Sequence, residues 1–269
     1  MDTRPIGVFD SGLGGLTTVL KLKQIMPCED IIYLGDTGRV PYGSRSDETI
    51  TKYTRQAASF LSDKGIKALV IACNTACSAA YEKIHNNYDI PIYEVITAPA
   101  KKAANLTKNG KIGVIGTAAT IRSDVYKKAI MDNKPDSKVY SVKCPLFVPL
   151  VENGRTGKND IAANDIANSY LHELKEAQID TLILGCTHYP LLRSVIQQVM
   201  GENVNLVDSG AETAKLVAQD IIKRGMASAN DHEGKISYYV TDSIEGFSDL
   251  ASRFMEENIY GSVEQVSLD

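Results

Sequence analysis

Two runs decide the fold: Ala68-Leu-Val-Ile-Ala-Cys73-Asn-Thr-Ala76 and Thr181-Leu-Ile-Leu-Gly-Cys186-Thr-His-Tyr-Pro190. Each is a short apolar run closed by small polar residues, the pattern of a strand buried on both faces in a parallel sheet. A thiol at the carboxyl end of such a strand stands where open α/β sheets bind ligands, and the neighbouring Asn or Thr offers hydrogen bonds. Two thiols in matching places suggest two reactive groups facing one ligand.

Outward from these runs, further Val-, Ile-, Leu- and Tyr-rich segments alternate with helix-like ones. Strands are expected at Ile6–Asp10, Ile31–Gly35, Ala68–Cys73, Ile92–Val95, Ile112–Gly116, Val139–Val142, Thr181–Cys186, Val204–Val207 and Ile236–Val240. Apolar residues at three- and four-residue spacing predict helices over Leu13–Met26, Asp47–Lys64, Ala76–Asn87 and Asp160–Ala177. This alternation means βαβ units and mostly parallel sheets flanked by helices.

The first strand and its loop, Ile6-Gly-Val-Phe-Asp10-Ser11-Gly12, also resemble Ile112-Gly-Val-Ile-Gly-Thr117-Ala118, and the two cysteine runs follow at similar distances. The offset of about a hundred residues is a domain's length. The fold class is therefore α/β, with two similar domains and an active site in the cleft between them. Residues 1–97 plus 208–269 form the first, and residues 98–207 the second. Ile236 onward has no counterpart in the second half and is expected to pack back onto the first.

At 269 residues and 43% hydrophobic content, the chain has an ample core. The 29 basic and 33 acidic residues leave a net charge of −4, and the basic ones form no stripe, which argues against nucleic acid as the main partner. No apolar run approaches a membrane span, and the lead into the first strand lacks a signal-peptide core, so a cytoplasmic protein is expected. Five cysteines without a small-domain spacing fit a reducing compartment and free thiols.

Asp10-Ser11-Gly12-Leu13-Gly14-Gly15 opens a helix with N–H groups and a hydroxyl positioned for a small carboxylate. It has neither the G-x-G-x-x-G nor the P-loop spacing, so a nucleotide is not expected. Asp10 can equally be a helix cap. Val40-Pro41-Tyr42-Gly43 is a loop on the same side of the sheet. Cys73 has Asp10 as a possible orienting group, and Cys186 has His188. Helix dipoles and an imidazole are expected to bring the thiols toward neutrality. Zinc on Cys73, Cys77, Cys186 and His188 is the competing reading, but Cys77 lies a helical turn away and no second metal-spaced pair exists, so no metal is assigned. A cysteine hydrolase built on Cys186 and His188 would leave Cys73 without a role. His85, His172 and His232 fall on predicted helices or a polar loop and are assigned nothing.

Taken together, Asp10-Ser11-Gly12-Leu13-Gly14-Gly15, Pro41-Tyr42-Gly43, Cys73-Asn74-Thr75-Ala76, Pro149-Leu150-Val151-Glu152 and Gly185-Cys186-Thr187-His188-Tyr189-Pro190 resemble the signature set of the bacterial glutamate racemases. The resemblance runs nearly the whole length. It implies cofactor-independent interconversion of L- and D-glutamate, supplying the D-isomer for peptidoglycan. It makes Cys73 the acid/base for the D-isomer and Cys186 that for the L-isomer, with Asp10, His188 and Glu152 assisting. Ser11, Tyr42, Gly43, Asn74, Thr75 and Thr187 match substrate-binding positions, as do Asp10 and His188, while Thr117 and Thr120 resemble further polar contacts. Related aspartate racemases share the two-cysteine plan and remain the near alternative. A homodimer is implied, and the short N-terminal lead implies no need for a nucleotide-sugar activator. A non-enzymatic amino-acid-binding protein would have the same cleft.

Overall fold

The computed structural model describes residues 2–255, 259 and 262–268. Among these residues ten strands form two sheets, β1 (Ile6–Asp10), β2 (Ile31–Gly35), β3 (Ala68–Ile71), β4 (Ile92–Glu94), β9 (Ile236–Val240) and β10 (Val263–Gln265) in one. The other contains β5 (Lys111–Gly116), β6 (Lys138–Lys143), β7 (Thr181–Gly185) and β8 (Asn205–Asp208). Every pairing between them is parallel. The six-stranded order is β10-β9-β2-β1-β3-β4 and the four-stranded order is β6-β5-β7-β8. The run β2-β1-β3-β4 thus repeats as β6-β5-β7-β8. The weak sequence repeat is a repeat of topology, and both cysteine runs occupy its third position.

The strands at the centre of each sheet, β1, β3 and β7, are buried along their whole length, as covered parallel strands must be. As expected, β9 pairs with β2 and returns the C-terminal segment to the first sheet. The helix Ile244–Met255 follows, burying Phe247, Ala251, Phe254 and Met255. The sequence reading did not foresee β10, whose three residues are too few to set up a pattern.

The strands β3 and β7 stop at Ile71 and Gly185, short of the cysteines to which the apolar runs extend. At Cys73 the chain has already turned, because its sulfur caps the next helix, Asn74–Ile84, by accepting the Ala76 N–H at 3.4 Å. That helix begins two residues before the expected Ala76 for the same reason. The helix expected from Leu13 begins at Leu16, since Leu13 to Gly15 form turns.

A buried ion pair anchors the far end of the first sheet. Lys67, fully buried just before β3, donates to Glu29 and, at 2.8 Å each, to the carbonyls of Asp2 and Met226. Glu29 in turn accepts the Ser228 N–H at 2.7 Å. Removing one partner of such a pair strands the other charge away from water. Lys67→Ala is expected to lower unfolding free energy by about 3 kcal/mol or more in urea titration. A loss under about 1 kcal/mol, the worth of an exposed pair, would mean that the pair does not hold this end of the sheet.

Candidate active site

One cleft of about 510 Å³ opens where the carboxyl ends of the two sheets meet. Its first wall carries Ser11, Tyr42, Gly43, Cys73, Asn74 and Thr75, and its second carries Thr117, Glu152, Cys186, Thr187 and His188. The two thiols therefore belong to opposite walls.

On the first wall, the Cys73 thiol donates to Ser11 Oγ at 3.3 Å. The Ser11 loop is held from behind, since Tyr33 Oη donates to the Gly12 carbonyl at 2.8 Å and Gly12 N–H donates to Asp10 Oδ2 at 2.9 Å. Gly14 has to be glycine, because a Cβ there would lie 2.1 Å from Thr187 Oγ1 and 2.5 Å from His188 Nδ1. Tyr42 is buried, and its hydroxyl donates to Asp36, which also accepts from Thr241 Oγ1 at 2.8 Å and pairs with Arg39. Residues from two segments, the Asp36–Arg39 turn and Thr241, thus fix the Tyr42-Gly43 loop.

On the second wall, His188 Nδ1 stands 4.0 Å from Cys186 Sγ, and its Nε2 stands 3.2 Å from Glu152 Oε1. Glu152 ends the short helix Phe147–Glu152. The rings of Phe254 and His188 meet nearly at right angles, with centroids 5.9 Å apart. Polar contacts cross between the walls. Thr75 and Thr117 share a hydrogen bond of 2.9 Å, and Thr17 Oγ1 donates to the Thr187 carbonyl at 3.0 Å.

The two thiols sit in unlike fields. Burial, and then the charge of Asp10, push the Cys73 thiol up to about 12, with Ser11 and the Ala76 N–H pulling the other way. The expected drop toward neutrality is not found there, because a helix N-terminus does not outweigh desolvation beside a carboxylate. For His188, burial opposes the imidazolium, but hydrogen bonds to Cys186 and Glu152, with the charge of Asp10, lift it to about 10. A cation therefore faces Cys186 at neutral pH. Burial also raises the Asp10 carboxyl, opposed chiefly by His188 and by the N–H groups of Gly12 and Gly15.

All the site residues expected from sequence come together here, though not all reach the cleft surface. Asp10 lies behind it, and its carboxylate meets the Gly12 N–H and the field of His188, so its action on Cys73 is by charge. Thr120 stands behind Thr117, with hydroxyls 3.0 Å apart. Cys77 turns away, donating to the Ile71 carbonyl at 3.1 Å. Among the described residues, no group of three or more His, Cys, Asp or Glu is placed to hold a metal ion. No helix among them is long and apolar enough to cross a membrane. Sequence reasoning missed Asp36, which lies between Gly35 and Gly38 with no local pattern to mark it.

Two thiols beyond the ends of two matched parallel sheets thus line one cleft of a two-sheet α/β fold. The comparisons with known proteins give the class of protein. The family model described as Asp/Glu/hydantoin racemase matches residues 19–217. A glutamate racemase of Geobacter metallireducens is 47% identical over 269 residues, covering 100% of this chain and 98% of the relative. The crystal structure of glutamate racemase isoform RacE1 from Bacillus anthracis, 38% identical, superposes with a TM-score of 0.95 over 100% of this chain and 99% of that one. A Francisella tularensis glutamate racemase in complex with D-glutamate, also 38% identical, gives 0.93 over the same shares. The chain belongs to the Asp/Glu/hydantoin racemase family and is an amino-acid racemase, an isomerase.

The His188 geometry predicts a pH dependence. Its folded pKa of about 10 stands above the 6.5 of an unperturbed imidazole, so its contribution to stability is complete below about pH 6.5 and is lost as pH rises through 10. Thermal midpoints measured from pH 6 to pH 10 are expected to fall for the native chain. His188→Asn should flatten the decline between pH 6.5 and 9, leaving the later fall that the raised Cys73 produces. Parallel curves for the two proteins would mean that His188 does not carry this charge.

Proposed function

We propose that the chain interconverts L- and D-glutamate without a cofactor, by proton transfer between Cα and two cysteine sulfurs. The observation that carries the reading is the position of Cys73 and Cys186 on opposite walls of one cleft. Inverting a carbon by two-base transfer requires a base on one face and an acid on the other, already in place when substrate binds. In the L-to-D direction the Cys186 thiolate takes the Cα proton and becomes a thiol. The carbanion then takes the proton of the Cys73 thiol on its other face, leaving a thiolate there. The reverse direction exchanges the roles, and each turnover conserves the protons. This assignment of sulfurs to isomers rests on the family resemblance.

The ionisation states fit the start of that cycle. Cys73 is held protonated, ready to donate, and the His188 imidazolium stands 4.0 Å from Cys186 Sγ. Glu152 holds the imidazole by its far nitrogen. The carbanion has the fixed hydroxyl and amide groups of Ser11, Asn74, Thr75, Thr117 and Thr187 lining the same cleft, where oriented dipoles act more strongly than in water. Glutamate is preferred over aspartate on the strength of the relatives' names and the bound D-glutamate of the Francisella enzyme. The division into residues 1–97 plus 208–269 and residues 98–207 is supported by the membership of the two sheets. A cytoplasmic homodimer supplying D-glutamate for peptidoglycan is supported by the family resemblance.

The test is incubation of the metal-stripped, reduced protein with L-glutamate, and separately L-aspartate, in heavy water. Loss of the Cα proton with appearance of D-glutamate is expected, and Cys73→Ser or Cys186→Ser should each lower turnover by at least about a thousandfold. Exchange with aspartate alone would move the specificity. Full activity in either serine variant would overturn the two-sulfur scheme, and an acyl adduct on Cys186 alone would favour a hydrolase.

A further inference from the structure

Behind the first wall lies a residue that the chemistry described so far does not use. Tyr126 belongs to the helix Val125–Asn133 of the second half, is 3% exposed, and reaches across to the first. Its hydroxyl lies 2.6 Å from Asn74 Oδ1 and 2.9 Å from the Val95 carbonyl. A phenol has one proton. At 2.6 Å the Asn74 contact has the length of an O–H···O bond and is short for N–H···O, so Tyr126 donates and the carbonyl end of the Asn74 amide accepts. The amide nitrogen is thereby turned away from Tyr126, with Ser209 Oγ 3.5 Å from it as a weak acceptor. Ser209 is itself fixed, donating to the Leu184 carbonyl at 3.0 Å. Space for the ring is provided by Gly185, where a Cβ would come within 3.0 Å of Tyr126 Cε2.

We infer that Tyr126 is a positioning residue: by occupying Asn74 Oδ1 it fixes which end of that amide faces the cleft, so that Asn74 meets the substrate as a hydrogen-bond donor. The ligand group concerned is an anionic oxygen, a carboxylate of the amino acid, which an N–H attracts and a carbonyl repels. Without the Tyr126 hydroxyl, the amide is free to turn over and present its oxygen. The inference rests on Asn74 being a substrate contact, as proposed above.

The experiment is a double-mutant cycle on racemase kinetics in both directions, with Tyr126→Phe, Asn74→Ala and the pair. Tyr126→Phe is expected to raise KM for both isomers about tenfold, with kcat reduced less than about threefold, the pattern of a lost binding contact. In the Asn74→Ala background the same change should cost nothing further. A tenfold effect that persists there, or a fall in kcat at constant KM, would overturn the inference. If Asn74→Ala leaves KM unchanged, the reading of Asn74 as a substrate contact fails first, and the inference with it. Should Tyr126→Phe not fold, Ser209→Ala removes the other restraint on the amide. It is expected to raise KM about threefold at retained kcat, and an unchanged KM would overturn the role of the clamp.

Discussion

The ends of β3 and β7 belong to different sheets, yet their sulfurs share one cleft, and the contacts that hold the sheets face to face are what the site depends on. Few of these contacts lie at the cleft itself, and they are polar: Thr75 to Thr117, Thr17 to the Thr187 carbonyl, and Tyr126 to Asn74. Hydrogen bonds of this kind contribute about 1 kcal/mol each and have strict geometry. They set the register of the walls more than they hold the molecule together. Bulk cohesion comes from the apolar packing behind them, where the helix Leu16–Ile25 lies against Ser209–Lys223, and from strands buried on both faces.

Burial makes this register consequential. Water screens a thiol from its neighbours, whereas in the cleft a carboxylate behind one wall raises Cys73 and an imidazolium stands beside Cys186 on the other. In the proposed reaction each sulfur takes both forms during a full cycle. Asp10 serves both sides, disfavouring charge on Cys73 while supporting the His188 cation.

Much of this was legible in the sequence because it is local. Apolar runs report buried strands, and a thiol after such a run reports a strand end, which is why Cys73, Cys186, Ser11 and His188 could be placed before any coordinates. The repeat of Ile6–Gly12 in Ile112–Ala118 foretold two matched sheets. What could not be read depends on distance in space. Asp36 looked like any turn residue between glycines, and only the fold brings Thr241, some 205 positions away, to its carboxylate. Tyr126 had no sequence signal at all, since an aromatic on a helix is ordinarily core. The proton affinity of Cys73 went the other way from expectation because burial is a property of the folded cleft and has no local signature.

Among the described residues, the lining of the cleft contains neither lysine nor arginine, although the proposed substrate carries two carboxylates. A guanidinium would grip such a ligand, and in a dry site it would also pair with whichever thiolate or carboxylate lay within reach. Placed near Cys73 it would cancel the charge of Asp10 and draw the thiol down. Neutral donors avoid this, because an N–H or a hydroxyl recognises an oxygen anion by direction and adds no net charge to the field around the reacting carbon. The cost of that choice is sensitivity to orientation. A cation attracts an anion from any side, but an amide does so from one end only, so a cleft built of neutral groups depends on the buried residues that point them.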